Sequence, residues 1–273
     1  MRLRLRIKQI KKDQLIPINY QFSVSSFIYR TIETSDSGYS KWLHDTGYMS
    51  GAKKFKYFTF SKLMLPESEM IDLYGLKYLK LKSETIDIIV SMLSTKTVEN
   101  FIIGMFENQK FRIYDSNVES EFIIKTVEMV PEPEFTREMV FRTISPIVIS
   151  KKVIYNGKES QKYLGPEDDE YEKYFKSNLE EKYITLLLNE CSYESKVIIE
   201  KERSSLDEVE LMGQSKAKLI TIKEGRQTET KVKGFYFTFR LKGETEIMRI
   251  GYEAGFGKNC SQGFGCVETI KRY

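Results

Sequence analysis

The N-terminal half of the chain consists of short stretches whose apolar positions recur with a two-residue or a helical period. Residues 2–8 alternate between basic and apolar side chains, which predicts a strand with Leu3, Leu5 and Ile7 inward and the basic residues outward. The remaining patterns predict helices over 20–34, 39–45 and 85–93, and strands over 55–61, 76–81, 101–106, 111–114 and 122–129. This order is β-α-β-β-α-β with an extra hairpin, which is the ferredoxin-like order.

The C-terminal half repeats this order after a proline-containing linker. Prolines disfavour helix and central strands, so we place a linker at Pro131–Glu134 and predict domains over 1–130 and 131–273. Beyond the linker the patterns predict extended structure over 139–153, helices over 168–191 and 244–252, and strands over 197–200, 217–222, 234–241 and 264–270. The predicted fold class is α+β, with two tandem ferredoxin-like (RRM-like) domains.

Charge is distributed unevenly along the chain. The net charge is +4, but residues 1–62 carry twelve Lys or Arg and four Asp or Glu, a net +8 that leaves −4 for the remainder. A basic N-terminal segment favours a polyanionic partner such as RNA. A charged face that only contacts water is the alternative interpretation.

Cysteine and histidine counts argue against a metal site. Three cysteines and a single histidine, without ligand spacing, do not predict structural zinc, and the odd cysteine count indicates a reducing compartment. No apolar run reaches the length of a membrane span, and the N-terminus lacks the apolar core of a signal peptide. We therefore predict a cytoplasmic protein that binds neither a membrane nor a cofactor.

A glycine-rich stretch lies close to the C-terminus. Five glycines fall within 251–265, which contains no proline. Glycine permits positive φ angles and close approach of another backbone, and exposed amides beside Lys258 can bind phosphate. The residue order matches neither a P-loop nor a dinucleotide-binding turn. A phosphate-binding loop and a mobile surface loop are the two interpretations that composition alone allows.

The spacing within this stretch resembles that of a known family. Gly255-x-Gly257 and Gly263-x-Gly265, each with an aromatic residue inside the pair, resemble the signature loop of the CRISPR-associated repeat-processing endoribonucleases. Residues 141–149, which contain Thr-Ile-Ser-Pro, are similar to the strand that opens the second half of those enzymes. The family has tandem ferredoxin-like domains. The resemblance implies CRISPR repeat RNA as partner, bound by Lys258 and the four glycines.

The resemblance extends to three segments of the N-terminal half. Residues 27–29, 42–44 and 53–57 are similar to the family's active-site region, which holds a tyrosine on the first helix, a later histidine and a lysine before the second strand. It implies Tyr29, His44 and Lys53 as catalytic residues, with Lys54 as an RNA contact or as the substitute for Lys53. Without the resemblance, Tyr29 packs in the core and a lone histidine is usually structural or exposed.

These residue types suit RNA cleavage by the 2′-hydroxyl group of the substrate. His44 can exchange a proton near neutral pH, Tyr29 can orient or assist, and Lys53 can stabilise the charge of the transition state. We predict a metal-independent endoribonuclease that releases guide RNAs with 2′,3′-cyclic phosphate and 5′-hydroxyl ends. A catalytically silent RNA-binding subunit of a guide-RNA complex and a general tandem RNA-recognition module are the alternatives. Besides RNA, the candidate partners are a second copy of the chain and the multi-subunit guide-RNA interference complex.

Overall fold

The computed structural model describes residues 1–155, 157–190 and 206–270. The N-terminal strands are β1 (Arg2–Gln9), β2 (Leu15–Pro17), β3 (Tyr48–Ser50), β4 (Lys53–Phe55), β5 (Phe58–Phe60), β6 (Ser68–Leu73), β7 (Leu76–Leu81), β8 (Thr85–Met92), β9 (Lys110–Tyr114) and β10 (Glu119–Met129). The N-terminal helices are α1 (Gln21–Ser35), α2 (Ser37–Asp45) and α3 (Thr95–Glu107). The C-terminal elements are β11 (Glu138–Thr143), β12 (Ile149–Tyr155), β13 (Lys158–Leu164), α4 (Tyr171–Glu190), β14 (Leu206–Ile222), β15 (Thr230–Gly243), α5 (Thr245–Ala254) and β16 (Val267–Thr269).

Two antiparallel sheets with the same connectivity form the centre of the fold. Their strand orders are β5-β8-β1-β10-β9 and β14-β15-β11-β16. In each sheet the first strand of its half lies between the third and the fourth, so both halves follow β-α-β-β-α-β. The prediction of two tandem ferredoxin-like domains is therefore confirmed. In the described ranges, no helix combines the length and the apolar character that crossing a membrane requires.

The helix predicted over 85–93 is wrong, because these residues form the central strand β8. Ile86 and Ile88 face the buried cluster of the N-terminal half, which we call the first core; that of the C-terminal half is the second core. Ile89 and Ser91, on the opposite face of β8, are buried as well. A strand that is buried on both faces is almost continuously apolar, so it loses the alternation that identifies strands. Its β-branched residues fit a strand better than a helix.

The strand predicted over 101–106 is also wrong, since these residues belong to helix α3. Val98, Phe101 and Met105 recur at helical spacing, and all three are buried. Gly104 lies where α3 crosses α1, and a Cβ atom there would overlap with the backbone of α1. Glycine at this position thus allows the two helices to pack closely.

The strand predicted over 55–61 is interrupted at Tyr57. This residue has a φ angle of +50°, which separates β4 from β5. Its side chain turns away from the first core and packs in the second, where its hydroxyl donates to the Lys182 carbonyl at 2.7 Å. The interruption therefore places one N-terminal aromatic ring in the C-terminal core.

Several predictions fall at the limits of the described chain. The strand predicted over 197–200 and Cys191, the last residue of the predicted helix 168–191, lie outside the described residues. The strand predicted over 264–270 is shorter, as β16. Residues 131–136 join β10 to β11 without regular secondary structure, and the separate domains over 1–130 and 131–273 stay a prediction.

The basic face predicted for β1 is partly internal. Arg2 is buried, and its guanidinium donates to the carbonyls of Tyr252 and Val267 while stacking 3.4 Å from the centre of the Tyr252 ring. Arg6 is exposed and pairs with Asp87 at 3.0 Å. The outward orientation predicted for the basic residues is thus wrong for Arg2, which joins β1 to α5 and β16.

Candidate active site

A groove of about 450 Å³ lies where the two halves of the chain meet. We call it the central groove; its walls come from α1, the end of α2, the tip of the β14–β15 hairpin and the glycine-rich loop. Tyr29 and His44 line it, together with four cationic side chains, Arg30, Lys56, Lys223 and Arg226. None of the described residues that line the groove is a carboxylate. Its charge suits a phosphate backbone.

Two of the predicted catalytic residues meet in this groove. The rings of Tyr29 and His44 contact edge to face, with 5.0 Å between their centres. The Tyr29 hydroxyl hydrogen-bonds to the Ser261 side chain, and burial raises the pKa of Tyr29 far above its ordinary value. Tyr29 is therefore a neutral hydrogen-bonding group at neutral pH, while the exposed imidazole of His44 is open to substrate.

A neighbouring carboxylate orients the histidine. His44 Nδ1 lies 2.8 Å from Asp45 Oδ1, and this hydrogen bond is the main cause that lowers the pKa of Asp45. A carboxylate bonded to Nδ1 holds one imidazole tautomer and leaves Nε2 to exchange a proton. The sequence analysis missed Asp45, although its position beside the only histidine was a usable signal.

Lysine contacts fix the end of helix α2, where His44 lies. The last carbonyls of a helix lack intrahelical partners, and cations are favoured at that end. Lys56 Nζ donates to the His44 carbonyl at 2.7 Å, and Lys54 Nζ donates to the Asp45 carbonyl at 2.8 Å. Gly47, with a φ angle of +63°, ends the helix in a left-handed turn. The backbone that carries His44 is thus held by the segment that follows it.

The lysine in the groove is not the one that the sequence analysis favoured. Lys53 forms an ion pair with Glu181 of α4 and does not line the groove, whereas Lys56 does. Burial, and secondarily the charge of Lys54, lowers the pKa of Lys56 to about 8. Because side chains alternate in extended backbone, Lys54 and Lys56 reach one side and Lys53 the other. This alternation over 53–57 was the sequence feature that could have identified Lys56 as the lysine in the groove. The catalytic role of Lys53 stays a prediction.

The glycine-rich loop is packed against the chain rather than open to solvent. Its four motif glycines are buried with positive φ angles, and an added Cβ atom would crowd a neighbour at each one, namely Gly255 against Thr59, Gly257 against Val148, Gly263 against Phe60 and Gly265 against Phe256. Five amides donate to carbonyls of the chain, those of Phe256, Lys258, Gln262, Gly263 and Gly265. These five amides therefore have partners within the chain, and their predicted use for phosphate stays a prediction. Direct RNA contacts by the glycines stay a prediction.

Two lysines hold this loop in place. Buried Lys182 of α4 donates to the carbonyls of Gly255 and Gly257 at 2.6 and 2.7 Å. Lys258, predicted to bind RNA, donates to the carbonyl and hydroxyl oxygens of Ser150 at 2.7 and 3.0 Å, and burial lowers its pKa. Lys258 does not line the central groove. Its RNA contact stays a prediction, and its present partner is protein.

What the loop contributes to the groove is its 3-10 turn at Cys260–Gln262. Ser25 of α1 donates its hydroxyl to the Ser261 carbonyl at 2.8 Å, and Thr59 of β5 donates to the Phe264 carbonyl at 2.7 Å. These bonds pin the loop to the N-terminal half. They bring Ser261 to Tyr29 and place Gln262 in the groove wall.

The tip of the β14–β15 hairpin closes the groove on the other side. Thr221 donates its amide to Asn19 at 3.2 Å, and Asn19 donates to Glu224 at 3.0 Å. The Arg226 guanidinium lies 4.5 Å from the centre of the Phe22 ring of α1. These contacts bring Lys223 and Arg226 into the groove that His44 also lines. The sequence analysis missed both, because nothing local distinguishes them from other surface cations.

No group of three or more His, Cys, Asp or Glu side chains in the described ranges could hold a metal ion.

Comparison with known proteins places the chain in a family. The profile of the CRISPR-associated protein Cas6 N-terminal family matches residues 15–128, and that of the Cas6 C-terminal family matches residues 130–269. The CRISPR-associated endoribonuclease Cas6 1 of Methanocaldococcus jannaschii is 27% identical over 275 residues, which cover 99% of this chain and 93% of that protein. The CRISPR-associated endoribonuclease Cas6 of Pyrococcus furiosus is 27% identical over 274 residues, covering 98% and 90%.

Solved structures share the fold. A Cas6-related protein from Pyrococcus furiosus superimposes with a TM-score of 0.77 at 22% identity and covers 100% of this chain and 99% of its own. A RAMP protein described as binding different RNA substrates gives a TM-score of 0.77 at 21% identity, covering 99% and 100%. With both halves matched by its profiles and its full length by its curated members, the chain belongs to the Cas6 family of CRISPR-associated proteins.

Proposed function

We propose that this chain is an endoribonuclease that cuts CRISPR repeat RNA in the central groove. One observation carries the proposal: Tyr29, His44 and Lys56 converge at a cationic groove in a chain of the Cas6 family. The curated relatives are named endoribonucleases, which supports the same reaction here. Because its substrate is an intracellular transcript, we place the chain in the cytoplasm.

The proposed reaction is an internal displacement at phosphorus. The 2′-oxygen of the nucleotide before the cut forms a bond to phosphorus, and the bond from phosphorus to the 5′-oxygen breaks. The proton of the 2′-hydroxyl passes to His44 Nε2, since Nδ1 is bonded to Asp45, and the imidazole then gives a proton to the departing 5′-oxygen. Tyr29 remains a hydroxyl and donates a hydrogen bond to the phosphate. The products are a 2′,3′-cyclic phosphate and a 5′-hydroxyl end.

Cationic side chains stabilise the charge that develops on the phosphate. Lys56 lines the groove on the same side as His44, and Arg226 reaches it from the hairpin tip. Positive groups that are already in place stabilise the transition state without reorganisation at the moment of reaction. The proposed mechanism therefore uses only side chains of this chain and the hydroxyl of the RNA.

Cleavage is expected to continue in excess EDTA. A single 2′-deoxy nucleotide just before the cut should abolish cleavage, since it removes the attacking oxygen, and should leave binding within about twofold. Single-turnover cleavage and filter binding on the same RNA measure the two effects. The proposed mechanism is contradicted if Mg²⁺ restores activity lost in EDTA, and the silent-subunit alternative is supported if unmodified repeat RNA binds but is never cut.

The charge of Lys56 predicts an alkaline limit to activity. Its pKa of about 8 lies below the ordinary 10.5, so the side chain is a cation at pH 7 and loses its charge as the pH rises through about 8. We expect cleavage at subsaturating RNA to fall over that range, and Lys56→Met to be about 10²-fold slower at pH 7.

Two variants isolate this effect. Lys56→Arg keeps a permanent cation, so its alkaline fall should disappear. Lys54→Met removes the other lysine that contacts the end of α2 and should change the pH 7 rate much less. An unchanged alkaline fall in Lys56→Arg would assign that limit to another group.

A further inference from the structure

A second pocket adjoins the central groove beyond the hairpin tip. It has a volume of about 510 Å³ and lies between β13, the hairpin tip and the glycine-rich loop. We call it the amide pocket. Lys223, Thr228 and Gln262 line both this pocket and the central groove, so the two spaces are immediate neighbours. A chain that passes through the central groove can therefore place its next unit in the amide pocket.

The two spaces differ in chemistry. The central groove is lined by four cations, whereas the amide pocket has one, Lys223. Side-chain amides of Gln161, Asn259 and Gln262 line the amide pocket, and none of its described lining residues is a carboxylate. Cations hold phosphates, while amides pair with the donor and acceptor edges of bases. The chemistry thus changes from backbone binding to base recognition along one path.

Two of the three side-chain amides of the amide pocket are available to a ligand, whereas Gln161 accepts a hydrogen bond from the Ser150 hydroxyl at 3.2 Å. The side-chain amides of Asn259 and Gln262 have no hydrogen-bond partner in the described part of the chain. Asn259 is held with a φ angle of +59°, in a left-handed conformation that directs the loop at this point. Neither amide has a structural bond to lose when a base binds, which favours a recognition role over a packing role.

The pocket also has a fixed aromatic wall. Tyr163 of β13 packs against the buried cluster that contains Val148, Ile222 and Phe264, and its hydroxyl donates to the Lys231 carbonyl at 3.2 Å. A ring that packs against a buried cluster and whose hydroxyl is hydrogen-bonded is a preformed surface for stacking. Stacking on an aromatic side chain together with hydrogen bonds to a base edge is how single-stranded RNA is recognised.

We infer that the amide pocket binds the nucleobase of a nucleotide next to the scissile phosphate and so selects the sequence that is cut. Lys223, at the junction, contacts the phosphate between that nucleotide and the central groove. The inference rests on the proposed function in one respect, namely that the central groove holds the scissile phosphate.

Base removal combined with side-chain removal tests this inference. Asn259→Gly removes an amide at a position whose φ angle suits glycine, and Gln262→Leu removes an amide at similar volume. Affinity is measured with repeat RNA that carries a 2′-deoxy nucleotide at the cut, in a series with one abasic nucleotide at each of the positions flanking it. One abasic position should weaken binding to the native protein about tenfold. The double variant should bind intact RNA about tenfold more weakly than the native protein. Removal of the base at that position should weaken its binding no further.

Gln227→Leu is the matched control, because Gln227 is an exposed amide on the same hairpin tip that lines neither space. It should keep the native pattern. The inference is overturned if, at every flanking position, removal of the base weakens RNA binding by the same factor in the double variant as in the native protein. The deoxy substrate cannot be cut, so the result does not depend on activity. A protein that discriminates bases here but never cuts intact RNA would contradict the proposed function and leave the pocket assignment standing.

Discussion

His44→Ala is expected to slow single-turnover cleavage of repeat RNA by about 10²–10⁴-fold, the usual contribution of one general acid–base group. The imidazole is exposed at the groove, contacts Tyr29 and is oriented by Asp45 at 2.8 Å. RNA affinity should change little, because the cations that hold the phosphates remain. Quenched-flow cleavage and filter binding on one substrate separate the two quantities.

The single histidine of the chain makes the control direct. Every imidazole signal in an NMR titration of the RNA complex belongs to His44, and one inflection of the pH–rate profile should match that titration and disappear in His44→Ala. Asp45→Asn keeps the shape of its side chain but not its charge, and should show an intermediate loss of rate. A His44→Ala protein that cuts at the native rate would leave the proposed proton exchange without its residue.

Gly265→Ala is expected to lower the free energy of unfolding by about 2–5 kcal/mol, from the cost of a left-handed non-glycine residue and from overpacking. Gly265 has a φ angle of +78°, and its added Cβ atom would overlap with the backbone of Phe256. Gly213→Ala is the matched control, because Gly213 has a φ angle of +83° but nothing within 4 Å. It should cost about 1 kcal/mol. Urea unfolding of both variants measures the difference.

This comparison also separates packing from RNA binding in the glycine-rich loop. If Gly265 acts only in packing, the Gly265→Ala variant should be less stable, and its affinity for RNA should be native at a temperature where the variant is fully folded. Native stability combined with weak RNA binding would instead support the direct RNA contact predicted for the glycines.

The sequence patterns predicted the β-α-β-β-α-β order of both halves correctly, but they predicted the wrong type for individual elements. Periodicity identifies elements with one exposed face, such as β1 and α1, because only they alternate between environments. Strand β8 is covered on both faces and so lacks the alternation that identifies strands, whereas α3 has buried residues at helical spacing but carries Gly104, a poor helix former, at its crossing with α1. These were the two elements assigned wrongly.

The site was predictable only where short segments carry its residues. Tyr29 and His44 follow from the resemblance of 27–29 and 42–44 to the family's active-site region, and the structure brings them together. Lys223 and Arg226 join them through a hairpin that lies far along the chain. Such long-range proximity leaves no local sequence pattern. Burial of the glycine-rich loop also depends on residues that are distant in the sequence, so it could not be predicted either.

The docking of the β14–β15 hairpin on α1 has a consequence for protein synthesis. Tyr29, His44 and Lys56 leave the ribosome early, while the walls supplied by Lys223 and Gln262 are translated near the end of the chain. N-terminal domains generally fold first during translation. A nascent chain therefore carries the three proposed active-site residues long before it has a closed groove, so the proposed RNA cleavage can begin only when translation of the chain is almost complete.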